Sequence, residues 1–145
     1  MSDEILERVQ ADTRTAMKAG ERDRVGTLRM LASSLLQDEK EGEGDAVAVL
    51  QRERKKRIEA AEAFETGGRP EQAAAERVEA TLIESYLPEQ IADEELERIV
   101  AAAVESTGAT DVKEMGKVIG VVMPQVKGRA DGKRVSTMVR ERLGA

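Results

Sequence analysis

Ile83-Glu84-Ser85-Tyr86-Leu87-Pro88-Glu89-Gln90 divides this sequence into its two parts. A residue that precedes proline is pushed out of the helical region of backbone space, so a helix running into this stretch must end by about Leu87. Upstream lies helical periodicity with glycine-rich breaks; downstream the apolar segments become shorter. We therefore place a domain boundary at Pro88, giving an N-terminal helical domain over 1–88 and a second helical domain over 89–145.

Working upstream, the helix that meets Pro88 carries Ala74, Val78, Leu82 and Tyr86 on one face and starts at Pro70, which suits a first turn because its missing N–H has no helical acceptor. A third helix before it bears Val47, Leu50, Ile58, Ala61 and Phe64 and stops at Gly67-Gly68; Asp45, ending the turn 41–45, is its cap. The second helix begins near Asp23 and buries Val25, Leu28, Leu31, Leu35 and Leu36. The first, capped by Ser2 with Asp3 and Glu4 in its first turn, buries Ile5, Leu6, Val9, Ala16 and Met17 and ends at Gly20. Downstream, the fifth helix opens near Asp93, presents Leu96, Ile99, Val100 and Ala103, and ends at Gly108. The sixth has Asp111 and Glu114 in capping-box spacing, an apolar face of Val112, Met115, Ile119 and Val122, and a stop at Pro124. A polar loop over 125–131 leads to a seventh helix with Val135, Met138, Val139 and Leu143. No stretch alternates as a strand would. The expected fold is all-α: a four-helix bundle-like domain followed by a small three-helix tail domain.

Composition narrows the chemistry. The 145 residues include no cysteine and no histidine, which excludes disulfides, thiolate or imidazole metal sites, and a histidine general base. Aromatic residues are limited to Phe64 and Tyr86, so the core must be aliphatic. No apolar run is long enough to span a bilayer, and Met-Ser-Asp-Glu-Ile lacks a basic-then-apolar leader, so the expectation is a cytoplasmic protein with no membrane partner. Glu76 with Glu79, and Glu94, Glu95 and Glu97, read as solvated helix faces rather than an acid–base pair. No catalytic residue, metal ligand or cofactor is assigned.

Charge is distributed unevenly. Residues 1–88 hold 14 basic and 19 acidic side chains, residues 89–112 one basic and seven acidic, and residues 113–145 eight basic and three acidic, so an acidic chain of net −6 ends in a basic segment. Four of those cations fall in one loop: Lys127, Arg129, Lys133 and Arg134, with Gly128 and Gly132 between them and a helix start beyond. Glycines that admit close approach, cations, and unpaired helix N–H groups suit a phosphate. The loop is not a P-loop, because Gly128 to Lys133 is one residue short and no Ser or Thr follows the lysine; nor is Ala130-Asp131-Gly132 part of a calcium loop. Arg52, Arg54, Lys55, Lys56 and Arg57 form a second basic cluster; it reads as a helix face paired with Glu59 and Glu62, or as a secondary basic patch in addition to the loop. Gly116 and Gly120 read as a site of close helix packing, and Met115, Met123 and Met138 as core.

The run Gly116-Lys117-Val118-Ile119 through Met123-Pro124, followed by Val126-Lys127-Gly128-Arg129-Ala130-Asp131-Gly132-Lys133, resembles the signature of the GatB/YqeY family. Ile83 to Gln90, Thr27-Leu28-Arg29-Met30-Leu31, and Phe64 with Gly67-Gly68-Arg69 resemble it too, so the likeness covers nearly the whole chain, as in stand-alone YqeY-like proteins. Gln125 stands where a lysine is common. The C-terminal part resembles the tail domain of the B subunit of the tRNA-dependent amidotransferase, in which the tail helps hold tRNA and the ATP-dependent chemistry resides in a separate domain. The resemblance implies a link to glutamine-dependent tRNA transamidation, a carbon–nitrogen ligase reaction with glutamine as amido-N donor. This sequence holds neither a glutamine-hydrolysing nucleophile nor an ATP cradle. The reading is thus an amidotransferase-related accessory module that binds tRNA through Lys127, Gly128, Arg129, Gly132, Lys133 and Arg134, with an aminoacyl-tRNA synthetase or an amidotransferase as further partners. The alternative is a helical protein-interaction adaptor with no RNA role.

Overall fold

The computed structural model describes residues 2–144, with side chains from Glu4 onward, so capping by Ser2 and the placement of the Asp3 carboxylate lie outside it. Seven α-helices and no strand occur among the described residues: α1 (Ser2–Ala19), α2 (Arg22–Glu41), α3 (Ala46–Thr66), α4 (Pro70–Glu84), α5 (Asp93–Thr107), α6 (Met115–Val126) and α7 (Gly132–Arg142). A 3-10 turn, Val112–Glu114, leads into α6. The chain divides into two compact units, Met1–Leu87 and Pro88–Ala145. The fold is all-α.

Two helical hairpins build the first unit, α1 with α2 and α3 with α4. Between them Asp38 accepts the Asp45 amide (2.9 Å), and Asp45 accepts the Ala48 amide (3.1 Å) as the N-cap of α3. The core is aliphatic: Leu6, Val9, Leu28, Leu31, Leu35, Val49, Leu50 and Ile83 are buried, with Tyr86 closing its edge. Four expected core positions face outward. Met17 and Leu36 lie exposed on the first hairpin, and Ala74 and Val78 on α4. The buried stripe of α4 is Ala73, Ala80 and Ile83 instead. The cause is the run Ala73-Ala74-Ala75, which offers two helical registers of similar hydrophobicity; small side chains at 73 and 80 let α4 approach α3, where Ala61 is buried, and turn Val78 away. The helix also ends earlier than Leu87. Its last turns tighten, with Ser85 N–H bonded to both Thr81 and Leu82 carbonyls and Tyr86 N–H to Ile83.

Tyr86 fastens this end of the unit. Its hydroxyl donates to the Asp12 carboxylate on α1, and the Arg8 guanidinium lies 5.1 Å from its ring centroid. Burial first, then the hydrogen bond and the negative charge of Asp12, raise the phenol above its ordinary pKa.

The second unit packs α5, α6 and α7 around Leu96, Val100, Ala103, Val118, Val122, Val126, Val135 and Val139, all buried. Valine is a modest helix former, so burial rather than propensity holds these short helices. Gly108 ends α5 in the left-handed region (φ +71°), where glycine has no Cβ penalty. Asp111 accepts the Lys113 amide (2.8 Å) while Glu114 reaches back to the Thr110 amide (2.6 Å), each donor one residue before the one a capping box uses. Helix α6 does not stop at Pro124; it continues through it to Val126, so the polar loop is shorter than expected.

Ile83→Ala should cost roughly 2–5 kcal/mol in chemical denaturation, while Val78→Ala should stay within about 0.5 kcal/mol, which separates the two registers of α4. A tyrosine whose pKa is raised on folding contributes stability fully below its unfolded pKa, about 10, and loses it as pH rises toward the folded value. Wild-type stability should therefore fall more steeply above about pH 10 than that of Tyr86→Phe, measured by urea melts at successive pH values.

Candidate nucleic-acid interface

The turn between α6 and α7 is built on three buried residues. Val126 ends α6, Ala130 sits in the middle, and Val135 lies in the first turns of α7, all fully buried. Between them Gly128 is buried at φ +80°, a conformation that places Arg129 and Ala130 so that both their N–H groups bond to the Val126 carbonyl (2.8 and 3.2 Å). Asp131 then caps α7, accepting the Arg134 amide at 2.8 Å.

The segment 88–93 lies across this turn. Ile91 donates its N–H to the Arg129 carbonyl (2.9 Å) and buries its side chain. The Gln90 amide donates to the Gly128 carbonyl (3.1 Å) and to Pro88 (2.9 Å). Two of the four loop cations act in the same clasp. Arg129 donates to the Glu89 carbonyl (3.3 Å) and lies 3.5 Å from Glu95; Arg134 donates to the Ile91 carbonyl (2.7 Å) and to Asp93 (2.6 Å). The carboxylates come from the acidic first turn of α5, which the helix dipole also favours. Lys133 stands exposed at the start of α7, beside Thr137, Met138 and Glu141 around a shallow cleft of about 350 Å³; Lys127 is exposed at the end of α6. Gly132 is not a loop glycine: it occupies the first position of α7, with open space where a side chain would stand. The structure thus gathers all six loop residues on one turn, but it turns Arg129 and Arg134 inward to their own unit.

The second basic cluster is spread around α3. Arg57 is buried between Glu53 (3.7 Å) and Glu79 (3.4 Å), and its guanidinium also meets the Met30 sulfur (3.3 Å). Thr27 donates to the other oxygen of Glu79 (2.8 Å). Arg54 faces Glu84 (3.5 Å), Arg52 faces Asp38 (3.8 Å), Lys56 reaches Glu53 (3.0 Å) and Lys55 reaches Glu59 (3.9 Å). Glu76, beside this network, has its pKa raised by burial and then by the charge of Glu79.

The outer face of α6 differs from what the sequence suggests. Gly116 and Gly120 were expected to admit a neighbouring helix, yet nothing among the described residues lies within 4 Å of where their side chains would be. With Lys117, Val121, Pro124 and Gln125 they form an exposed surface along a helix that contains no acidic residue. Pro124 has no N–H to give the Gly120 carbonyl, so that acceptor lacks its usual helical partner. The nearest carboxylate in sequence, Glu114, is held below its ordinary pKa chiefly by the Thr110 amide, with the Asp111 amide and the charge of Lys117 adding to it. The missed signal was the lysine between two glycines on the polar side of the apolar stripe.

Among the described residues no helix is long and apolar enough to cross a membrane, and no cluster of carboxylates is arranged to hold a metal ion.

Comparison with known proteins gives the class. A family model for Yqey-like protein matches residues 6–143, and the chain belongs to that family. It is 25% identical to "Altered inheritance of mitochondria protein 41, mitochondrial" of Pyrenophora tritici-repentis, over 97% of this chain and 82% of that protein. It is 38% identical over 77 residues to a glutamyl-tRNA(Gln) amidotransferase subunit of Thermococcus gammatolerans, and 66% identical over 29 residues to its counterpart in Methanopyrus kandleri. These two matches cover 51% and 20% of this chain but only 12% and 4% of the amidotransferase chains, so the likeness is to a small part of each.

Because Gly128 is buried in the left-handed region and Gly132 is helical and open, Gly128→Ala should destabilise the second unit by about 1–3 kcal/mol. Gly132→Ala should be close to neutral. Thermal unfolding of the two variants checks this.

Proposed function

We propose that this protein is an accessory module of tRNA-dependent amidation and binds tRNA through its second unit. The observation that carries the reading is the outer face of α6. An exposed glycine inside a helix costs about 1 kcal/mol relative to alanine, and α6 has two, with none of the described residues packed on them. A surface kept smooth at such a cost, on a helix that carries no acid and holds Lys117, suits a polyanionic backbone that must come close. Lys127 and Lys133 extend the contact toward the turn. Arg129 and Arg134, half-exposed, hold the turn in place and add charge at its edge. The likeness to parts of glutamyl-tRNA(Gln) amidotransferases supports tRNA as the RNA concerned. Contacts to phosphates position an RNA without reading bases, so selectivity is for shape.

An adaptor role is the second reading, and one feature favours it. A groove of about 1260 Å³ between α2 and α4 exposes Met30 (42%) and Val78 (69%). An adaptor would lose partner binding on Val78→Asp and show no RNA affinity.

Titration of labelled tRNA at several salt concentrations tests the proposal. Three lysine contacts give a log–log slope of about −2 to −3, and Lys117→Glu should flatten it by about one unit or more. Gly116→Ala with Gly120→Ala should split two readouts: the free protein becomes more stable by roughly 1–2 kcal/mol while tRNA binding weakens. Unchanged binding in both variants overturns the proposal.

A further inference from the structure

The first unit is acidic, with 19 carboxylates against 14 cations over 1–88, and several of its arginines sit against acids. Arg24, Arg52, Arg54, Arg57 and Arg77 each lie within 4.0 Å of a carboxylate. The cleft between α1 and α2 departs from this. About 530 Å³ in volume, it is lined by Gln10, Thr13, Arg14, Arg29, Ser33 and Leu36 among others, and no carboxylate lines it. Arg14 and Arg29 enter from opposite helices, and both are exposed. The Arg29 guanidinium touches the Met17 sulfur (3.6 Å), a soft and weak acceptor that is itself exposed. Thr13 has already given its hydroxyl hydrogen to the Val9 carbonyl (2.7 Å), so the donors left among the lining residues are the two guanidinium groups, the Ser33 hydroxyl and the Gln10 amide.

Two arginines thus line one cleft from facing helices, and no acid in its lining neutralises them. Their planar forks match the oxygens of a phosphate, which accepts two parallel N–H bonds from each. Neutral donors at Ser33 and Gln10 complete such a site without adding charge. We propose that the α1/α2 cleft binds a backbone phosphate of RNA through Arg14 and Arg29, as a second anchor in addition to the face on α6. This rests on the RNA reading above and extends it to the first unit.

The test uses the full chain and a labelled tRNA transcript, titrated over a range of salt. Arg14→Ala with Arg29→Ala should weaken binding severalfold and flatten the log–log salt slope by about one to two units. Arg14→Lys with Arg29→Lys should keep most of the slope, since the charges remain, but lose affinity with the bidentate fork. Both positions are exposed, and circular dichroism verifies that the helices are intact. Wild-type affinity and slope in the alanine pair, with Lys117→Glu still weakening binding, overturn the cleft and leave the α6 reading standing. Loss in the alanine pair with none in Lys117→Glu upholds the cleft and removes α6. Poly-glutamate competing as well as polyphosphate of equal charge at the cleft would also overturn the proposal, because the ligand would then be a carboxylate.

Discussion

The hydrogen bond from the Ile91 amide to the Arg129 carbonyl organises the second unit. It joins two stretches far apart in sequence, the segment after Pro88 and the turn after α6. Around it, Gln90 satisfies the Gly128 carbonyl, and Arg129 and Arg134 bridge to backbone and carboxylates at the start of α5. A turn this short would otherwise bury backbone polar groups without partners, which is expensive. Within the family-like run from Val126 to Lys133, valine and alanine serve the core, Gly128 the left-handed backbone, Asp131 a cap, and Arg129 the clasp that Arg134 completes.

That constraint decides which cations can meet a ligand. Exposed ion pairs such as Arg129 with Glu95 are weak, typically about 0–1 kcal/mol, so these arginines can still add to a surface potential. Their geometry nevertheless serves the unit first. In the first unit, Arg57 is bound more deeply. It is buried between Glu53 and Glu79, and truncating one partner of such a pair strands the other charge at a cost of about 3–5 kcal/mol. Arg57 is accordingly part of a polar seam joining α2, α3 and α4, while Arg52, Lys55 and Lys56 stay on the surface of α3.

Helix positions and caps are written locally, and they can be read: Asp45, Gly108 and the Asp111–Glu114 pair all act near where spacing places them, whereas the capping of α7 by Asp131 is visible only in the structure. The buried face of α4 could not, because three consecutive alanines leave its register to be set by α3. Pro124 misled for a related reason: it sits on an exposed side of α6, where losing one hydrogen bond to Gly120 is tolerated. Pairing across long separations was the least visible. Nothing in the letters of Arg129, Arg134 or Arg57 distinguishes a clasp from a ligand contact, and nothing in a G-x-x-x-G pattern says whether a helix or solvent lies above it. The composition of α6, lysine and glycine without acid, was the available clue.

In the second unit we propose a division of labour: the Val126–Arg134 turn is held from within, and the glycine–lysine face of α6 meets RNA. Mapping amide resonances of isotopically labelled protein during addition of tRNA tests it directly. The account predicts shifts and broadening concentrated at Gly116, Lys117, Gly120 and Val121, while the Ile91 amide keeps its hydrogen-bonded position and its slow exchange. Perturbation centred on 88–93 and on Arg129 and Arg134, with the α6 face silent, would contradict it.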